Sequence, residues 1–368
     1  MSSCYDYPYD PGPCHDTVDE PETSPMTPRQ NRPTINQVAA AAGVTKSSVS
    51  RAFTRPEMLS EETVRKIFAA AEQLGYVPNH TARALSTGRH GNIALIVPDV
   101  ANPFFPPLIR AAQAEADRSD YCVFLGNSDE NPQQEDKLIG RFTGQVEGFV
   151  LVSSRLGDAQ IIDHAARRPV VLINRDVKGI PRILIDSATG VAEAVAHLAG
   201  LGHKKLVYVG GPHGSWSNKQ RRSAVRRSAR ELGLDVTVIS NEFAAFESGR
   251  KITASVLATG ATAAIAFDDL TAQGMLAELA DQGIAVPADF AVVGCDDVLG
   301  AATYPSLTTV SNRSVEAGKA ALNLLMDILQ NQAIRDVRYV LNTNLVIRKT
   351  TGPARNATSR SGSPDQSR

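Results

Sequence analysis

Hydrophobic and polar positions follow two different patterns along the chain, and the change falls near residue 90. From about 33 to 88, apolar residues recur at helical spacing, and helix start and stop signals follow one another at short intervals. Thr34 to Gln37 has the form of a capping box, and glycines 43 and 75 end helices. The pattern predicts three short helices, over residues 34–43, 45–53 and 60–75. The apolar face predicted for the third consists of Val64, Ile67, Phe68, Ala71 and Leu74.

From Asn92 onward, short apolar strands alternate with longer amphipathic segments. The strands are rich in Val and Ile, and they are NIALIVPDV, YCVFLGNSD, VEGFVLVSS, PVVLINRD, RILIDS, KLVYVGG, AAIAFDD and FAVVGCDD. Helical patterns over 103–119, 187–200, 218–232 and 313–330 separate many of them. Apolar strands separated by helices are typical of parallel sheets covered on both faces. The length of the region predicts two α/β lobes, with a ligand cleft beyond the carboxyl ends of the strands.

Both ends of the chain are poor in large aliphatic residues. Residues 1–31 contain six prolines and six acidic residues, and Arg29 is their only basic residue. Segments of this composition cannot bury enough apolar surface to offset the entropy lost on ordering. We therefore predict a disordered acidic arm over 1–31 and a disordered tail over 349–368.

The overall composition excludes several classes of protein. With 42% apolar residues and a net charge of -1, the chain as a whole has no general attraction to nucleic acid or membrane. The four cysteines lack the close spacing of a zinc site or redox pair, so no metal and no cofactor is expected. The N-terminal residues lack the basic start and apolar core of a secretory signal, and no apolar run approaches the roughly 20 residues of a membrane helix. These features predict a cytoplasmic protein.

The first two predicted helices are joined by the tight Gly43-Val44 turn, as in a helix-turn-helix, whose second helix lies in the DNA major groove. Alanines 39 and 40 permit close helix crossing, and Val44 and Val49 are the expected buried contacts. The outer face of the second helix then carries side chains that can reach base edges, namely Lys46, Ser47, Ser50 and Arg51. Spacing alone also fits a helical hairpin with a solvated basic face.

Local charge favours the DNA-binding alternative. Residues 32–90 contain eight basic and four acidic side chains, so the segment carries a charge of +4 in a chain that carries -1. Attraction to phosphate is therefore concentrated where the helix-turn-helix needs it.

Longer motifs resemble one family of bacterial regulators. They are TINQVAAAAGVTKSSVSRAF, LSEETVRKIFAAAEQLGYVPNHTARALSTGR, IVPDVANPFF, LGHKKLVYVGG, AFDDLTAQG, VPADFAVVGCDD and PSLTTV. Their order and spacing, over about residues 33–348, resemble the lactose/galactose repressor (LacI/GalR) family of transcription regulators. The resemblance implies an N-terminal all-α helix-turn-helix domain, followed by an α/β two-lobed effector domain like that of type I periplasmic sugar-binding proteins.

The resemblance also implies roles for residues near the DNA. Lys46, Ser47 and Arg51 would read bases, with Arg51 as the guanine contact, whereas Ser48 and Ser50 would touch phosphate or solvent. The segment YVPNHTARALSTG resembles a hinge helix that orders on operator DNA, with Asn79 as its cap and Leu85 in the minor groove. The complete set of expected DNA contacts is Thr34, Thr45, Lys46, Ser47, Ser50, Arg51, Tyr76, Asn79, Arg83 and Leu85.

In the two lobes, the resemblance implies a cleft that holds a small polar effector, and chain crossings between lobes near residues 182, 312 and 333. The implied effector contacts are Phe104, Phe105, Arg175, Trp216, Arg221, Asp268 and Asp296. Aromatic faces stack on sugar or base rings while Arg and Asp bind hydroxyls, so the set suits a polyhydroxylated ligand. Several of these residues also have a structural alternative: the phenylalanines as core, Arg221 as surface, and one aspartate of each Asp-Asp pair as a helix cap.

We therefore expect a homodimeric repressor that binds double-stranded, near-palindromic operator DNA on the nucleoid and responds to a sugar or related metabolite. The alternatives are a solute-binding protein of a transporter, which the missing signal opposes, and an enzyme, for which no nucleophile-base pattern or phosphate fingerprint is present. The predicted domains are the arm (1–31), a DNA-binding domain (32–78), a hinge (79–90), the effector and dimerisation domain (91–348) and the tail (349–368).

Overall fold

The computed structural model describes residues 33–77, 90–298, 300–331 and 335–354. The chain divides into two compact units, residues 1–80 and 81–368. The predicted arm, the hinge residues Asn79, Arg83 and Leu85, and the tail beyond residue 354 lie outside the described residues. Of the described helices, none is long and apolar enough to cross a membrane.

The first unit consists of three α-helices and a short 3₁₀ turn. The helices are α1 (Ile35–Ala42), α2 (Lys46–Thr54) and α3 (Glu61–Leu74), and the 3₁₀ turn is Pro56–Met58. The predicted boundaries are confirmed: the Thr34 amide donates to Gln37 Oε1 at 2.7 Å, and Gly43 ends α1 with a φ of 66°. A positive φ is the conformation that glycine adopts without strain, so the turn between α1 and α2 depends on this residue.

The core of this unit lies where the three helices meet. Val38, Val49 and Ile67 are fully buried, and Val44 packs against them half-buried. The apolar face predicted for α3 is partly wrong, because Phe68 is 44% exposed and Leu74 is 38% exposed. Small side chains explain the difference: Ala70 and Ala71 face the other helices, which leaves Phe68 at the edge of the core, where its ring contacts Phe53.

The second unit has two lobes, each built on a six-stranded sheet. The strands are β1 (Asn92–Val97), β2 (Cys122–Asn127), β3 (Phe149–Val152), β4 (Val170–Ile173), β5 (Arg182–Asp186), β6 (Lys205–Val209), β7 (Asp235–Ile239), β8 (Ala263–Ala266), β9 (Ala291–Cys295), β10 (Thr308–Val310), β11 (Arg338–Asn342) and β12 (Leu345–Val346). The sheet of lobe 1 has the order β11-β5-β4-β3-β1-β2, and the sheet of lobe 2 has the order β12-β10-β9-β8-β6-β7. All neighbouring strands are parallel except β10 and β12.

Helices cover both faces of each sheet, which explains why the central strands are apolar on both sides. The helices are α4 (Phe105–Arg118), α5 (Pro132–Phe142), α6 (Asp158–Arg167), α7 (Ser187–Gly200), α8 (Trp216–Glu231), α9 (Phe246–Ala258), α10 (Asp269–Asp281) and α11 (Ser314–Gln330). In lobe 1, α4 and α11 lie on one face of the sheet and α5 and α6 on the other. In lobe 2, α7 and α8 lie on one face and α9 and α10 on the other.

The chain crosses between the lobes three times. The crossing predicted near 312 is confirmed, between β10 and α11. The other two need correction: they lie at 186–187, between β5 and α7, and at 343–344, between β11 and β12. Residue 333 itself lies outside the described residues, and β11 adds a last strand to lobe 1 before the chain returns to lobe 2.

The segment 349–354 belongs to lobe 2, so the tail predicted from 349 begins too early. Thr350 is fully buried, donates its hydroxyl to the Val292 carbonyl at 2.7 Å and accepts from the Thr308 amide. The Ala354 amide donates to the Leu201 carbonyl at 2.8 Å. Hydrogen bonds of hydroxyl and backbone groups hold this segment on lobe 2. The prediction from composition missed it because that prediction considers only the lack of large apolar side chains.

Candidate nucleic-acid interface and interlobe cleft

The outer face of α2 carries the side chains that the sequence singles out for DNA. Lys46, Ser47, Ser50 and Arg51 are all exposed. Within the described residues, neither Lys46 nor Arg51 makes an ion pair, so both cations are available to phosphates or bases. Val49 and Ala52 on the opposite face are buried in the core and fix the rotation of the helix.

Hydroxyl groups at the start of α2 form a small cluster around its N-cap. The Thr45 hydroxyl accepts from the Ser48 amide at 3.2 Å and lies 2.8 Å from the Ser47 hydroxyl and 2.9 Å from that of Ser48. The cap predicted for Thr45 is confirmed. Ser48 is half-buried beside it and serves this cluster, whereas Ser50 remains on the exposed face.

The other predicted DNA contacts of this unit lie at its ends. Thr34 is exposed at the start of α1, where helix N-terminal amides favour phosphate. Tyr76 is half-buried, and its ring centroid lies 5.9 Å from that of Phe53. The Tyr76 ring packs on the core of the unit, and this burial raises the pKa of its phenol.

In the second unit, strand ends of both lobes meet at the interlobe cleft. Asn102, which follows β1 of lobe 1, donates its amide to Asp268 Oδ2 of lobe 2 at 3.1 Å. Asp268 also caps α10 by accepting from the Thr271 amide at 2.8 Å. In the Asp268-Asp269 pair, Asp268 is therefore a helix cap, as expected for one of the two. The same side chain joins the two lobes.

Arg221 and Asp296 form a buried ion pair beside this contact. Arg221 Nη2 donates to Asp296 Oδ1 at 2.8 Å, and both side chains are less than 10% exposed. Arg221 Nη1 donates to the Phe267 carbonyl, and the guanidinium lies 4.9 Å from the centroid of the Phe267 ring. The surface alternative for Arg221 is excluded. Its Nε is buried and has no hydrogen-bond partner within the described residues, so a donor remains for another group.

Three aspartates, Asp268, Asp269 and Asp296, lie close together near Arg221, and within the described residues only Asp296 forms an ion pair with it. Burial raises the pKa of Asp269 well above its usual range, and the nearby charge of Asp296 raises it further. Burial also raises the pKa of Asp296, although Arg221 opposes the shift. Burial is the largest single effect on Arg221 and lowers its pKa, but Asp296 and smaller effects of neighbouring groups together outweigh it. The pKa of Arg221 is therefore raised and the arginine stays charged. Carboxylates in excess over cations suit a ligand whose hydroxyls donate hydrogen bonds.

Arg175 and Trp216 line a cavity of about 440 Å³ between the lobes. Arg175 follows β4, and its Nη2 donates to the Leu156 carbonyl at 2.8 Å and to Asp158 at 2.7 Å. Trp216 is the first residue of α8 and is half-buried. These two predicted effector residues therefore meet from opposite lobes.

The two phenylalanines lie in the core of lobe 1. Phe104 and Phe105 are each 7% exposed, pack edge to face at 5.1 Å and do not line the 440 Å³ cavity. The core alternative describes both side chains in this structure, and a ligand contact from either of them stays a prediction.

Comparisons with known proteins follow the same division of the chain. Residues 34–79 match the model of bacterial regulatory proteins of the lacI family, and residues 195–351 match a periplasmic binding protein-like domain. The HTH-type transcriptional repressor CytR of Escherichia coli K12 is 31% identical over 327 residues, which cover 86% of this chain and 96% of the relative. The chain belongs to the lacI family.

Further relatives share this architecture. The ribose operon repressor of Bacillus subtilis is 28% identical, over 86% of this chain and 98% of the relative. A crystal structure of the lac repressor bound to ONPG is 26% identical with a TM-score of 0.79, over 87% of this chain and the whole of that one. A complex of the regulator CelR with cellobiose is 28% identical with a TM-score of 0.65, over 87% of this chain and the whole of that one. This lacI-family member is accordingly a transcriptional repressor with a periplasmic-binding-like domain, and it is not an enzyme.

Sequence reasoning missed two polar residues of the lacI-family cleft. Asn102 lies in the ANPFF motif, two residues before Phe104. Its polar amide, next to residues predicted to contact the effector, was the sequence feature that could have indicated a place in the cleft. Asp269 is buried and accepts from the Thr309 hydroxyl at 2.5 Å and from the Val298 amide at 3.1 Å. A bond between residues 40 positions apart leaves no local pattern, so the function of the second aspartate could not be read from the sequence.

Proposed function

We propose that this repressor binds a near-palindromic operator as a homodimer, with α2 in the major groove. The observation that carries the proposal is the exposed face of α2, where Lys46 and Arg51 have no ion pair beside exposed Ser47 and Ser50. Each chain contributes α2 as a recognition helix, and two half-sites one helical turn apart require two such helices. The further DNA contacts in this proposal are Thr34, Thr45 and Tyr76 in the same unit and Asn79, Arg83 and Leu85 in the proposed hinge over 79–90.

We also propose that the interlobe cleft binds a sugar or a related metabolite. Relatives bind such ligands: a lacI-family regulator of Enterococcus faecalis, 26% identical with a TM-score of 0.65 over 72% of this chain and the whole of that one, has been solved with bound ribose. In the present chain, the unpaired Arg221 Nε and the carboxylates of Asp268 and Asp296 offer donors and acceptors to hydroxyls. Arg175 and Trp216 would close the same cleft from its mouth.

Ligand in this cleft would control DNA affinity through the lobes. A ligand that binds one lobe arrangement better than another changes the energy of that arrangement, and DNA affinity changes with it if the two arrangements hold the DNA-binding units differently. The Asn102–Asp268 bond is the described contact most directly exposed to such a change, because it joins the two lobes beside Arg221 and Asp296.

Selection from a random DNA library tests the DNA-binding proposal. The full chain should enrich one sequence with two inverted half-sites, and a site with one half scrambled should lose most of the affinity. Enrichment of a single unrepeated half-site would contradict dimeric binding, and absence of any enriched sequence would contradict sequence-specific binding itself.

A further inference from the structure

At the mouth of the interlobe cleft, an arginine of lobe 1 faces two cations of lobe 2. Arg175 lines the 440 Å³ cavity from lobe 1, while Lys219 and Arg222 line it from lobe 2. Two acids also line it, but both are already in ion pairs: Asp158 with Arg175 at 2.7 Å, and Asp176 with Arg182 at 2.5 Å. Lys219 and Arg222 have neither an ion pair nor a side-chain hydrogen bond within the described residues.

The position of these cations on α8 gives them a shared direction. Residues 219 and 222 are three apart, so their side chains project from the same side of the helix. The helix begins at Trp216, and the amides of its first turn add partial positive charge at the same end. Arg221, between the two cations, instead points inward to Asp296. One helix therefore supplies a buried contact to the acidic floor of the cleft and two free cations to its mouth.

Arg175 has donors left for a ligand as well. Only its Nη2 is used by Leu156 and Asp158, and its Nε is buried with no hydrogen-bond partner in the described part of the chain. Buried N–H groups without a partner are costly, and an acceptor in the cavity would remove that cost.

We propose that the cleft takes an anionic polyhydroxylated ligand, a phosphorylated sugar or a sugar acid, with its anionic group between Arg175 and the Lys219–Arg222 pair. The hydroxyls of the ligand face the carboxylates of Asp268 and Asp296. The inference rests on the proposed effector role of the cleft and names the class of effector.

Trp216 allows a direct test with inorganic phosphate, because it is the only tryptophan of the chain and lines the cavity. Phosphate titrated into the full-length protein should change tryptophan emission saturably, and the affinity should fall as salt rises. In the double variant Lys219→Gln/Arg222→Gln the affinity should fall at least about ten-fold, since two charge-assisted contacts are lost.

The matched control is the double variant Arg226→Gln/Arg230→Gln. It removes the same charge from exposed positions of the same helix, and neither residue lines the cavity. It should retain the phosphate affinity of the unchanged protein. No saturable response to phosphate, or an equal loss in both double variants, would overturn the proposal.

Matched sugars identify the source of the anion and separate this inference from the effector proposal. Ribose, ribose 5-phosphate and ribonate share most hydroxyls, as do glucose, glucose 6-phosphate and gluconate, so thermal shifts within each set isolate the anionic group. A larger shift with the phosphate identifies a phosphomonoester, and a larger shift with the acid identifies a carboxylate. If the neutral sugar binds as tightly as both anions, the effector role stands and the anionic class is wrong.

Discussion

Arg221 is the most enclosed cation of the cleft, and its neighbours show what a buried charge requires. Asp296 supplies the opposite charge, the Phe267 carbonyl accepts a hydrogen bond and the Phe267 ring lies beneath the guanidinium. The sequence predicted Arg221 and Asp296 as cleft residues through the family motifs. It could not predict their pairing, because 75 residues separate them and only the fold of lobe 2 brings them together.

The substitution Arg221→Gln should lower the free energy of unfolding of the two-lobed unit by about 3–5 kcal/mol, because Asp296 would stay buried without its cation. The double variant Arg221→Gln/Asp296→Asn should recover much of this loss, since neither charge then remains. Urea unfolding of the three proteins measures the difference. The control Arg167→Gln breaks an exposed pair with Asp163 and should change stability little. A similar small change for Arg221→Gln would contradict the inferred role of the pair.

Among the elements, helices with clear caps were the easiest to predict. The starts of α1, α2 and α3 coincide with Thr34, Thr45 and Ser60, and all three boundaries are confirmed. By contrast, α9 and α10 were not predicted. They pack so closely that a Cβ on Gly274 would lie 1.9 Å from the Phe246 carbonyl oxygen, and one on Gly249 would lie 2.2 Å from that of Thr271. Buried small residues of this kind weaken the polar-apolar periodicity by which a surface helix is recognised.

Two strands on outer edges, β7 and β11, were missed for a related reason. The residues of β11 are mostly exposed and those of β7 are at most half-buried, so neither strand has the continuous apolar run by which the central strands were predicted. Their place in the sheets is set by pairing with β5 and β6 and not by their own composition.

Gly274→Ala should destabilise the two-lobed unit by about 1–3 kcal/mol or more, because the added methyl group forces α9 and α10 apart. The control is Gly140→Ala in α5, where a Cβ would meet no atom within 4 Å. That change should instead stabilise the protein by about 0.5–1 kcal/mol, because alanine restricts the unfolded chain and favours a helix. Thermal unfolding of both variants distinguishes the two effects, and stabilisation by Gly274→Ala would refute the close crossing.

For the whole molecule, the family motifs predicted the order of domains, and the C-terminal segment is one part whose placement differs from prediction. His203 is buried beneath this segment, with Nδ1 2.7 Å from the Thr262 hydroxyl and Nε2 3.1 Å from the Gly352 carbonyl. The neutral imidazole satisfies both contacts when Nε2 donates and Nδ1 accepts. Burial lowers the pKa of His203 below its ordinary value of 6.5, and the nearby His197 adds to the shift.

Stability of the two-lobed unit should therefore depend on pH in a defined direction. Because the unfolded histidine binds a proton more readily than the folded one, the contribution of His203 is complete above about pH 6.5 and is lost as pH falls below it. His203→Gln should reduce the decline in unfolding temperature between pH 7.5 and pH 5, and the exposed His213→Gln should leave it unchanged. An identical decline in all three proteins would show that His203 does not contribute.

The central claim is that the exposed face of α2 reads the operator, and the measurement that tests it most directly is the ratio of specific to non-specific DNA affinity at one fixed salt concentration. Arg51→Ala should lower this ratio, and the free-energy difference that it expresses should fall by about 1–3 kcal/mol, because a base contact is lost. Arg65→Ala removes an exposed cation of α3 from the same unit and should leave the ratio unchanged, even if it weakens binding to all sequences. An unchanged ratio for Arg51→Ala would contradict the account.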